Sequence, residues 1–180
     1  EPLPLNDPHS SLRMVNTGIF VTDLGYRCAN ESMTSQFDYF TPFVKSGRKE
    51  FTIICDSQQP EARAALIEEA VELGVASKAE TLEELAEAAG LPVYPLMKTV
   101  ERYNELCDGG EDLDFGKKPE DLQRVEKAPF YAIQITPNTN DSFGALAIST
   151  NAEVLDADRN PIPGLYAGGT LGNAEMFYMR

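Results

Sequence analysis

Three stretches of this chain carry residue types and spacings that could support chemistry. Gly168-Gly169 close a short apolar run, Leu165-Tyr166-Ala167. Two residues without a Cβ let something flat or bulky lie against the main chain. Arg27 and Glu31 follow an Asp23-Leu24-Gly25 turn, where guanidinium and carboxylate can order the loop as an ion pair. Asp156-x-Asp158-x-Asn160 opens like a calcium loop. Pro161 holds the place of the required glycine and Ala167 that of the bidentate glutamate, so calcium is rejected. The acids between Gly109 and Pro119 lack ligand spacing, and no metal site is expected. Cys28, Cys55 and Cys107 are odd in number, far apart and without a C-x-x-C spacing. They read as buried thiols rather than a disulfide framework or a zinc site. The single histidine, His9, lies in a polar lead-in unsuited to catalysis.

The elements that must position these residues can be read in order. Residues 1–17 read as an irregular lead-in, and Ile19-Phe20-Val21 as a strand running into the Asp23–Gly25 turn. Phe37, Tyr39, Phe40 and Phe43 form an aromatic patch that either packs beneath the loop or walls a substrate. Phe51–Asp56 predicts a strand. A helix from Pro60 to Gly74 should bury Ala62, Leu66, Ala70 and Leu73. Thr81-Leu-Glu-Glu84 is a capping-box pattern opening a second helix with Leu82, Leu85, Ala86 and Ala89. A third, starting near Pro92–Pro95, presents Leu96, Val100, Tyr103 and Cys107 before Gly109-Gly110. Each buried Leu or Val contributes about 1.5–3 kcal/mol, so these helices need a shared surface. Gly109–Pro119 reads as a polar loop ordered around Phe115, and Pro129–Ile135 as a return strand. Beyond Ser142 the pattern is three short strands joined by two turns, one of them Asp156–Pro161. The fold class expected is α+β: a small sheet with three helices, then an antiparallel β-hairpin segment.

Composition narrows the partners. The chain has 180 residues, 42% of them hydrophobic, enough for a real core. No apolar run approaches the span of a membrane helix. Fifteen basic against 29 acidic residues give a formal charge of −14, which repels phosphate backbones and argues against nucleic acid. No signal peptide is visible at Glu1-Pro-Leu-Pro, and the absence of an initiating Met suggests an excised piece.

GALAISTNAEVLDADRNPIPGLYAGG, residues 144–169, resembles the late segment of the fumarate reductase/succinate dehydrogenase flavoprotein family. Gly25, Arg27, Asn30 and Glu31 match that family's G-x-R-x-x-N-E run, and residues 81–106 resemble its capping domain. The resemblance implies FAD as cofactor, a capping (substrate-lid) domain at 1–130, and a fragment of the FAD-binding domain at 131–180. In it, residues 129–135 leave the cap and re-enter the flavin domain. No G-x-G-x-x-G follows a strand, and Gly168-Gly-Thr170-Leu-Gly172 lacks the strand-turn-helix context. The N-terminal FAD-binding half is therefore taken to be missing, and the fragment alone should be colourless and inactive.

Carried over residue by residue, the resemblance places Gly144, Ala145, Gly168, Gly169 and Thr170 beside the cofactor. The family's proton-delivering arginine falls at Ser35. Its His-x-Thr-Met-Gly-Gly run corresponds to Asn140-Asp-Ser142-Phe-Gly144-Ala145, so Asn140 replaces a substrate histidine, with Ser142 beside it. Arg180 falls on a late substrate-clamping arginine, while Arg13 needs a one-residue shift to match an earlier one. Related ketosteroid dehydrogenases use tyrosine as acid or base, which makes Tyr178 and Tyr39 the catalytic candidates. With two polar groups gone, a dicarboxylate would be poorly compensated. The expectation is an FAD-dependent oxidoreductase that reduces or forms a carbon–carbon double bond in a small molecule other than fumarate, with an electron-donor protein as a further partner. The competing reading is a stand-alone, non-catalytic binding or interaction module.

Overall fold

The computed structural model describes residues 18–32, 45–48, 50–135 and 145–172. The chain divides into two compact units, Glu1–Pro137 and Asn138–Arg180.

The first unit is built on a four-stranded antiparallel sheet: β1 (Ile19–Thr22), β2 (Phe51–Asp56), β3 (Ala76–Ala79) and β4 (Phe130–Ile135), in spatial order β1-β2-β4-β3. Every residue of β2 is buried, because helices cover both faces. Phe51, Ile53 and Cys55 face one core with Phe20, Ile133 and Ile135, closed by Ile67 and Ala70 of α1 (Glu61–Glu72). Ile54 joins Ile19, Val21 and Ala132 in a second core, closed by α2 (Leu82–Ala88) and α3 (Val93–Gly109). That two-sided burial is why the strands read as apolar runs rather than clean alternation.

The α1 stripe differs from the expected one. Ile67 and Ala70 are buried, whereas Ala62 is exposed and Leu73 is 60% exposed. Leu73 is already the C-cap, and Gly74 at φ 73° ends the helix, with Val75 N–H donating to the Ala70 carbonyl at 3.0 Å. The turn leads directly into β3, a strand hidden in the sequence because Ala-Ser-Lys-Ala has little β preference; pairing with β4 supplies it. The α2 capping box forms as read, with Thr81 and Glu84 exchanging hydrogen bonds. On α3 the buried residues are Leu96, Val100, Tyr103 and Leu106, so Leu106 takes the inward place expected of Cys107, which is half-buried. β4 is hydrogen-bonded on both sides within the first unit, and the unit boundary follows it at Pro137.

The second unit carries β5 (Glu153–Leu155) and β6 (Pro161–Tyr166), an antiparallel pair. Of three expected strands the first is a single bridge, Ile148 to Val154. Asp156 Oδ1 accepts the N–H groups of Asp158 and Asn160, both at 2.9 Å, which fixes the turn.

Gly25 closes a tight turn against α3. Its φ is 77°, and a Cβ there would lie 3.0 Å from Leu96 N and 3.3 Å from Pro95 Cβ. Gly25→Ala should lower the unfolding free energy by roughly 1–3 kcal/mol in urea titrations; an unchanged midpoint would show that the turn is not held against α3.

Candidate functional site

The loop after β1 doubles back along that strand's outer edge. Cys28 N–H donates to Phe20 O at 3.0 Å and Thr22 N–H to Tyr26 O at 2.9 Å. This brings Arg27 and Glu31 under the sheet edge, where both side chains are almost fully buried, 6% and 0% exposed. Arg27 Nε and Nη2 meet Glu31 Oε1 and Oε2 at 3.0 and 2.7 Å. Its Nη1 and Nη2 meet Asp112 Oδ1 and Oδ2 at 3.0 and 2.8 Å. Two parallel forks on one guanidinium are the strongest arrangement these groups allow. The Tyr103 and Phe115 rings lie 5.0 and 4.9 Å from the guanidinium carbon.

The ion pair read from the sequence is therefore present, and larger than read. Asp112 also accepts the N–H groups of Asp114, Phe115 and Lys117. Lys117, its side chain 0% exposed, donates from Nζ to Gly18 O at 2.7 Å and Tyr103 Oη at 2.9 Å, with Glu31 Oε2 at 3.6 Å. Asn30 donates to Gly116 O at 2.7 Å, and Ser32 Oγ accepts Lys118 N–H at 2.9 Å. Residues 27–32 are thus laced to residues 112–118. Neither Asp112 nor Lys117 was singled out from the sequence; Phe115 and Gly116 in an otherwise polar loop were the available signal. Asp56, equally missed, accepts Gln58, Glu126 and Lys127 N–H groups and ties the end of β2 to the approach to β4.

Electrostatics follow from burial. Removal from water lowers the Lys117 ammonium despite the Glu31 charge. Burial raises the Tyr103 hydroxyl, so it stays protonated. Burial alone would raise the Asp112 carboxyl, but the Arg27 hydrogen bonds and charge with the Lys117 and Phe115 N–H groups bring it below its ordinary value. Burial pushes the Cys28 and Cys55 thiols up to about 12; all three cysteines are free, but only Cys55 is buried as expected, Cys28 and Cys107 being half-buried. Among the described residues no group of acids, histidines and cysteines could hold a metal.

In the second unit, β6 ends at Tyr166 and the chain enters a 3-10 turn, Gly169–Gly172. Ala167 N–H donates to Ala152 O at 3.0 Å, and Leu146 N–H to Leu171 O at 2.9 Å, which holds the turn beside the segment starting at Ala145. Gly168 and Gly169 are exposed, and a Cβ on either would meet nothing within 4 Å. Gly169 has φ 64°, a conformation that favours glycine. The backbone here leaves room on its Cβ side for a flat group. Thr170 lies within the same turn. Ser35, Tyr39, Asn140, Ser142, Gly144, Tyr178 and Arg180 fall outside the described residues.

Glu31→Gln removes one carboxylate from a buried guanidinium and should cost about 3–5 kcal/mol in denaturant unfolding. Asp112 has a depressed folded pKa, so its contribution is full above the unfolded value of about 3.9 and is lost as pH falls through the folded value. Asp112→Asn should lower stability at neutral pH and flatten the acid limb of stability against pH. A limb of unchanged slope would contradict this assignment.

Comparison with known proteins fits this geometry. The family model for the FAD binding domain matches residues 16–177. The chain is 45% identical over 92 residues to a vinyl phenol reductase of Lactiplantibacillus plantarum, covering 51% of this chain and 19% of that protein. It is 33% identical over 154 residues to the fumarate reductase (cytochrome) of Shewanella frigidimarina, covering 86% of this chain and 26% of the other. Among solved structures, the open conformation of a flavocytochrome c3 fumarate reductase superposes with a TM-score of 0.69 at 31% identity, over 91% of this chain and 28% of that one. The chain therefore spans about a quarter, or less, of the length of these relatives. It belongs to the FAD binding domain family, among the fumarate reductase/succinate dehydrogenase-like flavoproteins.

Proposed function

We propose that the first unit is the substrate lid, and the second the late flavin-side hairpin, of an FAD-dependent reductase of carbon–carbon double bonds. The observation that carries this reading is the Gly168-Gly169 turn, open on its Cβ side at the end of a strand whose six residues are all exposed. A self-contained binding module would bury at least one face of such a strand. Ile162, Leu165, Tyr166 and Leu171 are instead 38–65% exposed, which suits a segment completed by the remainder of a flavin domain.

FAD bound against this turn would supply hydride to one alkene carbon. The protein's task is to hold the substrate and deliver a proton to the neighbouring carbon. In the family pattern an arginine does the second job, and Ser35 stands in its place. Asn140 stands for a substrate histidine, with Ser142 beside it and Arg180 as the remaining candidate clamp. A site with serine and asparagine at those positions compensates two carboxylates poorly. The substrate proposed is therefore a small alkene with at most one carboxylate, and Tyr178 or Tyr39 is the proposed proton donor. The relatives include a vinyl phenol reductase as well as a fumarate reductase, which supports a substrate other than a dicarboxylate. An electron-donor protein is the proposed source of reducing equivalents.

The flavin-loaded parent enzyme should oxidise its reduced flavin with neutral or singly charged activated alkenes and turn over fumarate at least ~100-fold more slowly, a difference of about 3 kcal/mol in barrier. Ser35→Arg should raise fumarate turnover. Efficient fumarate reduction by the parent would defeat the substrate assignment. A parent chain that binds no flavin would defeat the enzyme reading itself.

A further inference from the structure

Beside the Arg27 cluster, on the lid's surface, lies an open recess of about 300 Å³ with Tyr26, Arg27, Lys98, Arg102, Leu106 and Phe115 in its lining. Arg27, Lys98 and Arg102 line it with one acid, Asp114, and each cation is paired with carboxylates: Arg27 with Glu31 and Asp112, Lys98 with Glu101, Arg102 with Asp114 and Glu105. Its walls are aromatic: Tyr26 is 56% and Phe115 38% exposed, although both are large apolar rings. Tyr103 and Phe115 bracket the Arg27 guanidinium at 5.0 and 4.9 Å. Arg27 is 6% exposed, and its carboxylate partners use Nε, Nη2 and one hydrogen of Nη1. The second Nη1 hydrogen has no partner among the described residues.

The geometry points to a binding site on the lid for a one-ring aromatic carboxylate. The volume is at the small end for ligand sites, which limits the occupant to about one ring. Exposed tyrosine and phenylalanine rings offer offset or edge-on packing to that ring. Lys98 and Arg102 sit one turn apart on α3, both half-exposed, and can meet the carboxylate at the rim. Lys98 is held by Glu101 in an exposed pair of the kind that contributes little, whereas Arg102 forks onto Asp114 at 2.9 and 3.1 Å and also meets Glu105, so a ligand carboxylate competes with that fork. The claim is independent of the reaction proposed above, since it uses only lid residues.

The test is a titration of the 180-residue chain, followed by amide NMR shifts, with benzoate, acetate and benzyl alcohol as probes. Benzoate should give saturable shifts at Tyr26, Thr99 and Phe115, with acetate and benzyl alcohol each about tenfold weaker. The double variant Lys98→Gln/Arg102→Gln replaces two exposed side chains and should keep its unfolding midpoint. It should weaken benzoate about tenfold and leave benzyl alcohol unchanged. Non-saturable shifts, an equal response to acetate, or benzoate binding indifferent to the double variant would each overturn the assignment. Shifts centred on Gly168–Gly172 instead would also overturn it, by placing the ligand in the second unit.

Discussion

The first unit depends on burying one guanidinium. Taking Arg27 out of water is costly unless its donors are met by charges already in place, and Glu31 and Asp112 meet them with two forks. Lys117 is buried in the same cluster, so two cations are enclosed with two carboxylates. That balance fixes geometry well beyond the cluster. Glu31 also accepts the Phe20 N–H at 3.0 Å, which satisfies the outer edge of β1. Lys117 holds the Gly18 carbonyl, where the described chain enters β1. One polar knot therefore caps a sheet edge, anchors a loop and pins the entry to β1.

The sheet transmits this constraint. β2 and β4 are central and contribute to both cores, with Gln134 alone of β4 exposed, and a slip by one residue would exchange the two cores. In the proposed lid role, a closing surface that keeps its shape is what excludes water.

Much of this was legible in the sequence, for identifiable reasons. Thr81 and Glu84 form a cap because their spacing alone satisfies the first turn of α2. The strands Ile19–Thr22, Phe51–Asp56 and Phe130–Ile135 are dense in branched and aromatic residues, so local preference and tertiary role agree. β3 was not legible, since its four residues become a strand only by pairing with β4, more than fifty positions away. Asp112 and Lys117 were hidden for a similar reason. A charged residue in a polar loop looks solvated until the fold brings Arg27 and Tyr103 to it, 85 and 14 positions distant in sequence. The Arg27–Glu31 pair was read because its partners are four apart. The substrate-side candidates came from family resemblance alone, and no local pattern distinguishes Ser35 or Asn140 from ordinary loop residues.

The second unit offers an open main-chain turn at Gly168-Gly169. The central claim is that the turn is bare because a flavin lies on it. Gly168→Val tests this directly, since Gly168 has no positive φ and a Cβ there would meet open space, so the substitution carries no strain of its own. In the parent flavoprotein the account predicts FAD affinity reduced about tenfold or more, with the unfolding midpoint of the isolated chain unchanged. Equal flavin occupancy in wild type and variant would contradict it.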